Sequence, residues 1–175
     1  MRSPTSSLVP MRRTLLLTLA LLSGCQAADP TPVDPSNATY TIDRRTVTLN
    51  NGVFEEPAAP GSAAKATTRL TDKRGSGDLN GDGKADAAVV LTFTGSGSGT
   101  FYYIVALLGQ GGGKSAATNA IVLGDRIGVD AVRIDGGKIL VDTLERKPGE
   151  PFTTTPSVRA TRMFQLREGA LTEAK

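Results

Sequence analysis

The strongest constraint on this chain is a pair of apolar runs separated by a short polar loop. Asp86-Ala87-Ala88-Val89-Val90-Leu91-Thr92-Phe93 and Phe101-Tyr102-Tyr103-Ile104-Val105-Ala106-Leu107-Leu108 are apolar on both parities. Successive side chains of a strand point to opposite faces, so runs of this kind need cover above and below. Their β-branched and aromatic residues favour strands, while periodicity alone also admits a buried helix. Gly95-Ser96-Gly97-Ser98-Gly99 between them reads as a flexible hairpin loop. The two runs predict central strands buried on both faces.

The flanking sequence offers further strands. Tyr40 and Ile42 alternate with Thr, Asp43-Arg44 allows a tight turn, Val47 and Leu49 alternate again, and Asn50-Asn51-Gly52 is a strong turn signal. Residues 62–71 read as a strand, because Thr67, Thr68 and Thr71 outweigh the helix start that Ala63 to Ala66 offer after Ser62. More strands are expected over 119–123, 127–134, 138–144 and 157–166, with Asp135-Gly136-Gly137-Lys138 forming a two-residue hairpin. No stretch sustains a capped 3.6-residue period, and no internal repeat is present. The expected fold class is mostly β, a single antiparallel sheet or sandwich domain over residues 38–174. An α+β arrangement with one helix on the sheet is the alternative.

Composition then removes whole classes of chemistry. The 175 residues contain no His and no Trp, and Cys25 is the single cysteine. Without His there is no Ser-His-Asp or Cys-His nucleophile system and no imidazole base. One Cys makes no intrachain disulfide, redox pair or Cys-rich zinc site. Carboxylates, amines, hydroxyls and the backbone are what remain.

The lone Cys stands where it carries information. Arg12 and Arg13 precede the apolar run Thr14 to Leu22, and Ser23-Gly24-Cys25 follow. A charged start, a short apolar stretch and small residues before a cut form a secretory signal over residues 1–24. The run is far below the ~20 residues that a spanning helix needs. Leu22-Ser23-Gly24-Cys25 resembles the lipobox of bacterial lipoproteins. That resemblance implies diacylglycerol on the Cys25 thiol and an acylated amine, hence a membrane partner reached through a lipid anchor. Two or three acyl chains hold a protein firmly where one holds it marginally. Gln26 stands where Asp would be the usual signal for inner-membrane retention, so the resemblance favours the periplasmic face of the outer membrane. Residues 25–37, with prolines at 30, 32 and 35, read as the lipidated Cys and a Pro-rich tether.

Cleavage also redraws the charge. The whole chain has 20 Lys plus Arg against 17 Asp plus Glu, a net +3. Arg2, Arg12 and Arg13 leave with the signal, so 17 basic residues balance 17 acidic ones. No basic stripe with interleaved aromatics remains to take nucleic acid.

One constellation carries chemistry. Asp78-Leu79-Asn80-Gly81-Asp82-Gly83-Lys84-Ala85-Asp86 places side-chain oxygens at Asp78, Asn80, Asp82 and Asp86, with Gly83 at the bend and the Lys84 carbonyl available. Hard oxygens in a tightly curled loop suit Ca²⁺. A twelve-residue EF-hand would close on Glu, whereas Val89 stands at that place. An Asx-rich turn held by its own backbone hydrogen bonds is the competing reading. The segment resembles the calcium loops that join strands in integrin-like propeller repeats, where the same Asp-Leu-Asn-Gly-Asp-Gly opening precedes an apolar strand. The resemblance implies a weak, single calcium site stapling one β connection; a propeller would need an array.

Other motifs fail on their own terms. Gly113-Lys114-Ser115 lacks the Gly a phosphate loop needs five places earlier, where Leu108 stands, and reads as a hairpin loop. The Gly/Ser run 95–99 fits neither a nucleophile elbow nor a dinucleotide fingerprint. Asp125 and Arg126 read as a turn with solvated charges, and the adjacent Glu55 and Glu56 would face opposite sides of a strand.

Across residues 77–126, the calcium-type loop, the Gly/Ser loop, Gly-Thr-Phe-Tyr-Tyr and Leu-Gly-Asp-Arg together resemble a group of small bacterial lipoproteins. The expected function is a lipid-anchored envelope lipoprotein whose non-catalytic β domain acts as a binding or scaffold module, with a protein or glycan partner. The alternative is an envelope hydrolase working with carboxylates.

Overall fold

The structure, a computed structural model, describes residues 32–174. Residues 1–24, read from the sequence as an export signal, and Cys25 with the expected tether as far as Thr31 lie outside the described residues. Twelve strands follow a short 3-10 turn at Pro35–Asn37: β1 (Thr39–Ile42), β2 (Arg45–Thr48), β3 (Val53–Pro57), β4 (Lys65–Gly77), β5 (Asp86–Thr94), β6 (Phe101–Gly111), β7 (Lys114–Ala117), β8 (Ile121–Asp125), β9 (Gly128–Asp135), β10 (Lys138–Glu145), β11 (Val158–Arg167) and β12 (Ala170–Ala174). The protein is mostly β, and the helix of the alternative reading has no counterpart among the described residues.

Three antiparallel sheets form a sandwich-like domain. The largest runs β3-β4-β5-β6-β7, with β8 on the first half of β6; the second runs β12-β11-β10-β9, and β1-β2 is a hairpin of its own. The apolar runs are β5 and β6, paired from Ala87↔Leu107 to Phe93↔Phe101. Alternation explains their composition. Ala88, Val90, Ile104 and Ala106 face a core with Val132, Ile139, Val141 and Phe164 of the four-stranded sheet. Ala87, Val89, Leu91, Tyr103, Val105 and Leu107 face Tyr40, Ile42, Val47 and Leu49 of the β1-β2 hairpin. Each fully buried Val, Leu or Ile among them contributes about 1.5–3 kcal/mol relative to exposure, so both layers are needed to justify the double-faced pattern.

The tight turn expected at Asp43-Arg44 forms with both residues at positive φ, 48° and 66°. Left-handed backbone strains residues other than Gly, and here the Tyr103 hydroxyl donates to Asp43 Oδ2 at 2.6 Å, tying the turn to β6. Desolvation of the Tyr103 phenol, helped by that acceptor, pushes its pKa well above the ordinary tyrosine value.

The sandwich is closed on both flanks. On one, the register of β4 slips between Leu70 and Arg74, and the strand bends toward β9. Gly75 and Gly77 permit the approach: a Cβ on Gly75 would lie 2.9 Å from Arg133 Cα, and one on Gly77 2.8 Å from Ile134 Cγ2. On the other flank, the Asn119 side chain takes the N–H of Leu171 at 2.8 Å and donates to its carbonyl at 3.0 Å, acting as one rung of a ladder onto β12. Arg162 on β11 donates to the carbonyl of Leu123 on β8 at 2.6 Å and grips Glu173 with two bonds of 2.7 Å.

Several boundaries differ from the sequence reading. The strand expected over 62–71 is Lys65–Gly77, and the one expected over 119–123 is Ile121–Asp125. β3, β7 and β12 went unforeseen; each has only four or five residues, and none alternates apolar with polar side chains. The tether was read as burying almost nothing, yet Val33 and Pro35 are buried against the β1-β2 layer. Asp34 caps the 3-10 turn by accepting from Ser36 N at 2.9 Å, and Tyr40 donates its hydroxyl to the Pro35 carbonyl at 2.7 Å. The packed chain therefore begins about five residues before the expected start at 38.

Candidate functional site

The calcium-type segment connects β4 to β5. Asp78 organises it: Oδ1 accepts from Gly81 N at 2.7 Å and Oδ2 from Gly83 N at 2.9 Å. Both glycines have positive φ, 77° and 78°, which lets the chain curl around the carboxylate. Asn80 Oδ1 accepts from Asp82 N at 2.9 Å, and Asp82 Oδ1 accepts from Lys84 N at 2.9 Å. The Lys84 ammonium bonds Asp82 Oδ2 at 2.9 Å, and this bond holds the Asp82 carboxyl below its ordinary pKa. Asp78, Asn80 and Asp82 thus turn their oxygens into one exposed loop.

Asp86 behaves differently. It is only 1% exposed, and its Oδ2 accepts from Leu79 N at 2.8 Å while Oδ1 accepts from Gly109 N at 2.7 Å. Leu79 is itself buried in the core between the large sheet and the four-stranded one. The carboxylate therefore fastens the loop's first turn and its last residue to β6. Gly109 is required there, because a Cβ would fall 2.2 Å from the carbonyl oxygen of Ala85.

The donor set can be tested for a divalent cation. A carboxylate oxygen that accepts one N–H keeps a second lone pair, so the exposed Asp78, Asn80 and Asp82 can serve the loop's amides and an ion together, whereas Asp86 differs by being buried. Among the described residues, no three acidic side chains are gathered as ligands for one ion. Of the five positions read from the sequence, three share the loop, Lys84 lends its amide and ammonium, and Asp86 is committed to the strand beneath. The Leu79 plug and the Gly109 contact were missed, and no local sequence signal marks a bond to a residue 23 positions away.

Beside the loop's base lies a groove of about 710 Å³, lined by Val33, Pro35, Arg74, Ser76, Ala85 and Ala87 among others. It follows the entry of the chain into the domain.

At the far end of β5 and β6 sits the Asp125-Arg126 turn. Asp125 was expected to be solvated, but its side chain is 14% exposed and clamps Thr100: Oδ1 accepts from Thr100 N at 2.9 Å, while Arg126 N donates to Thr100 O at 2.8 Å. The Arg126 guanidinium bonds the carboxylate at 3.0 Å and depresses its pKa. By contrast, Glu55 and Glu56 do face opposite ways, Glu55 toward Lys65 and Arg69 and Glu56 toward Arg45.

No protein-family model, no curated protein and no solved structure matches this chain.

Proposed function

We propose that this protein is a lipid-anchored lipoprotein of the bacterial envelope, held through Cys25 on the periplasmic face of the outer membrane, whose β domain is a non-catalytic binding or scaffold module stiffened by Ca²⁺. The anchor reading rests on Leu22-Ser23-Gly24-Cys25 after the charged and apolar signal. Intact-mass measurement of the membrane-extracted chain tests it. Loss of residues 1–24 with acyl mass on Cys25 is the expected result, and an unmodified Cys25 would sink it.

One observation carries the module reading. The carboxylates are spent on the fold: Asp78 and Asp86 hold backbone amides, Asp82 holds Lys84, Asp125 and Glu173 hold guanidiniums, and the two that line one pocket, Asp130 and Asp142, are each paired with an arginine, Arg159 and Arg133. A hydrolase working with carboxylates needs two of them across a substrate site. Turnover of sugars or phosphoesters by a soluble Cys25→Ala variant would overturn the reading.

In the calcium part of this proposal, Asp78, Asn80, Asp82 and the Lys84 carbonyl hold the ion, with Asp86 as the strut below. With few protein ligands and no bidentate acid, the affinity belongs to the weak extracellular range of ~10⁻⁴ to 10⁻³ M. Calorimetric titration with calcium reads this directly, and no heat at millimolar calcium would remove the ion from the account.

A further inference from the structure

Two Asn-Gly pairs occur in the chain, Asn51-Gly52 and Asn80-Gly81. In such a pair the backbone nitrogen of the glycine can attack the side-chain amide of the asparagine, because glycine has no side chain to shield that nitrogen. The new N–Cγ bond closes a cyclic succinimide as the Cγ–Nδ2 bond breaks, and ammonia leaves with the proton of the glycine N–H. Water then opens the ring. Addition at the Cγ carbonyl gives aspartate, and addition at the backbone carbonyl gives isoaspartate, in which the main chain runs through the former side chain. Only water is consumed, so the state of the glycine N–H governs the rate.

Both N–H groups are held, by different means. Gly81 N donates to Asp78 Oδ1 within its own loop. Gly52 N donates at 2.8 Å to the carbonyl of Ser36, in the 3-10 turn at the entry of the chain. The same turn fixes the asparagine, since Asn51 N donates to Asn37 Oδ1 at 3.1 Å. Asn51 is exposed and Gly52 is buried, so the side-chain amide meets water while its attacker is enclosed. The enclosing segment, residues 33–37, hangs on few contacts: Val33 and Pro35 are buried, Asp34 accepts from Ser36 N at 2.9 Å and from Asn37 Nδ2 at 2.7 Å, and the Tyr40 hydroxyl donates to the Pro35 carbonyl. Short segments at the margin of a fold open locally before the core does.

We infer that Asn51 is a self-modification site gated by the docking of the entry segment 33–37. While the segment is docked, the Gly52 N–H is spent on Ser36 and the turn is fixed by Asn37, so the nitrogen neither gives up its proton nor swings toward Cγ. When the segment lifts, both bonds go together, and the turn is left to the backbone bonds between Asn50 and Val53. The change is one-way. Either product carries a carboxylate where Asn51 Nδ2 now donates to Asn50 Oδ1 at 3.0 Å. Isoaspartate also inserts a methylene into the main chain before Gly52, which moves the Gly52 nitrogen off the Ser36 carbonyl. Release of the entry segment is thereby recorded covalently. The inference goes beyond the module reading and is independent of the anchor and of calcium.

The test incubates the full chain in detergent micelles at mildly alkaline pH. Peptide mass mapping follows the amide-to-acid change at Asn51 and Asn80, and hydrogen exchange follows Gly52 N. The expected result is that the folded natural chain converts Asn51 about tenfold more slowly than the same chain in concentrated urea, the weight of one or two hydrogen bonds. Asp34→Ala removes the cap of the 3-10 turn, and Asn37→Ala removes the clamp on Asn51 N. Both side chains are exposed, so the core is untouched. Each variant should speed Gly52 exchange and Asn51 conversion together, while Asn80, held within its own loop, keeps its natural rate. Conversion of Asn51 in the folded natural chain at the urea rate overturns the shield. Variants that leave Asn51 conversion unchanged overturn the gate, and so does equal acceleration at Asn80, which would mean that the whole domain has loosened.

Discussion

Asp86 Oδ1 accepts the N–H of Gly109 at 2.7 Å, across 23 residues of sequence, and joins the calcium-type loop to the central strand β6. The same carboxylate takes Leu79 N on its other oxygen, so one buried charge satisfies two backbone donors at the root of the loop. Charge-assisted bonds to backbone amides are the stronger kind, and an orphaned buried donor costs about 1–3 kcal/mol. Asp86→Ala should therefore lower unfolding stability by about 2–5 kcal/mol, measured in denaturant. A loss below about 1 kcal/mol would mean the carboxylate is no strut.

Gly109→Ala tests the same junction from the other strand. The added Cβ meets a backbone oxygen that cannot rotate away, and overpacking of this kind costs typically 1–3 kcal/mol or more. Gly61→Ala is a different case, because nothing lies within 4 Å and only the positive φ resists. The first variant should melt well below the second.

Asn119 makes a separate, local prediction. Its amide mimics a peptide group against Leu171, linking the β7-β8 connection to the four-stranded sheet. Asn119→Ala leaves the N–H and carbonyl of a buried residue unmatched and should cost about 1–3 kcal/mol. Asn119→Asp keeps the acceptor but sets a charge against the Leu171 carbonyl, so it should lie between the two. Hydrogen exchange at Leu171 N checks the mechanism, with faster exchange expected in both variants.

Acid should loosen the flank that Arg162 closes. The hydrogen bond from Arg162 holds the Glu173 carboxyl below its ordinary value. A carboxylate with a lowered folded-state pKa stabilises the fold above its unfolded pKa, near 4.3, and loses that contribution as pH falls through the lower folded value. Glu173 is half-exposed, so the effect is modest. Thermal melts at descending pH should show a shallower acid decline for Glu173→Gln than for the natural chain; parallel curves would contradict the pairing.

The sequence was legible where a residue's environment follows from its neighbours. Alternation exposed β1 and β2, double-faced apolarity exposed β5 and β6, and the turn at Gly136-Gly137 announced itself, with both residues at positive φ. Short strands such as β7 and β12 stayed hidden, because Lys114–Ala117 and Ala170–Ala174 do not alternate apolar with polar residues. The loop's ligand-type residues could be named from spacing. That Asp86 turns toward Gly109 could not, since position nine of the motif and a buried strut are the same residue type, and only the β5-β6 register decides where it points. Arg146 and Phe152 likewise meet through tertiary folding of a connection with no pattern of its own.

One titration separates the proposed calcium loop from the Asp86 strut beneath it. Melting temperature is followed against calcium for the natural chain, Asp78→Asn and Asp86→Asn. With a Kd near ~10⁻³ M, roughly 10 mM calcium stabilises by about 1.4 kcal/mol, a rise of about 3–8 °C for a domain of this size. The account predicts that rise in the natural chain, its loss in Asp78→Asn, and its survival in Asp86→Asn on top of a lower starting temperature. No calcium-dependent rise in the natural chain, or a rise abolished by Asp86→Asn and kept by Asp78→Asn, would contradict it.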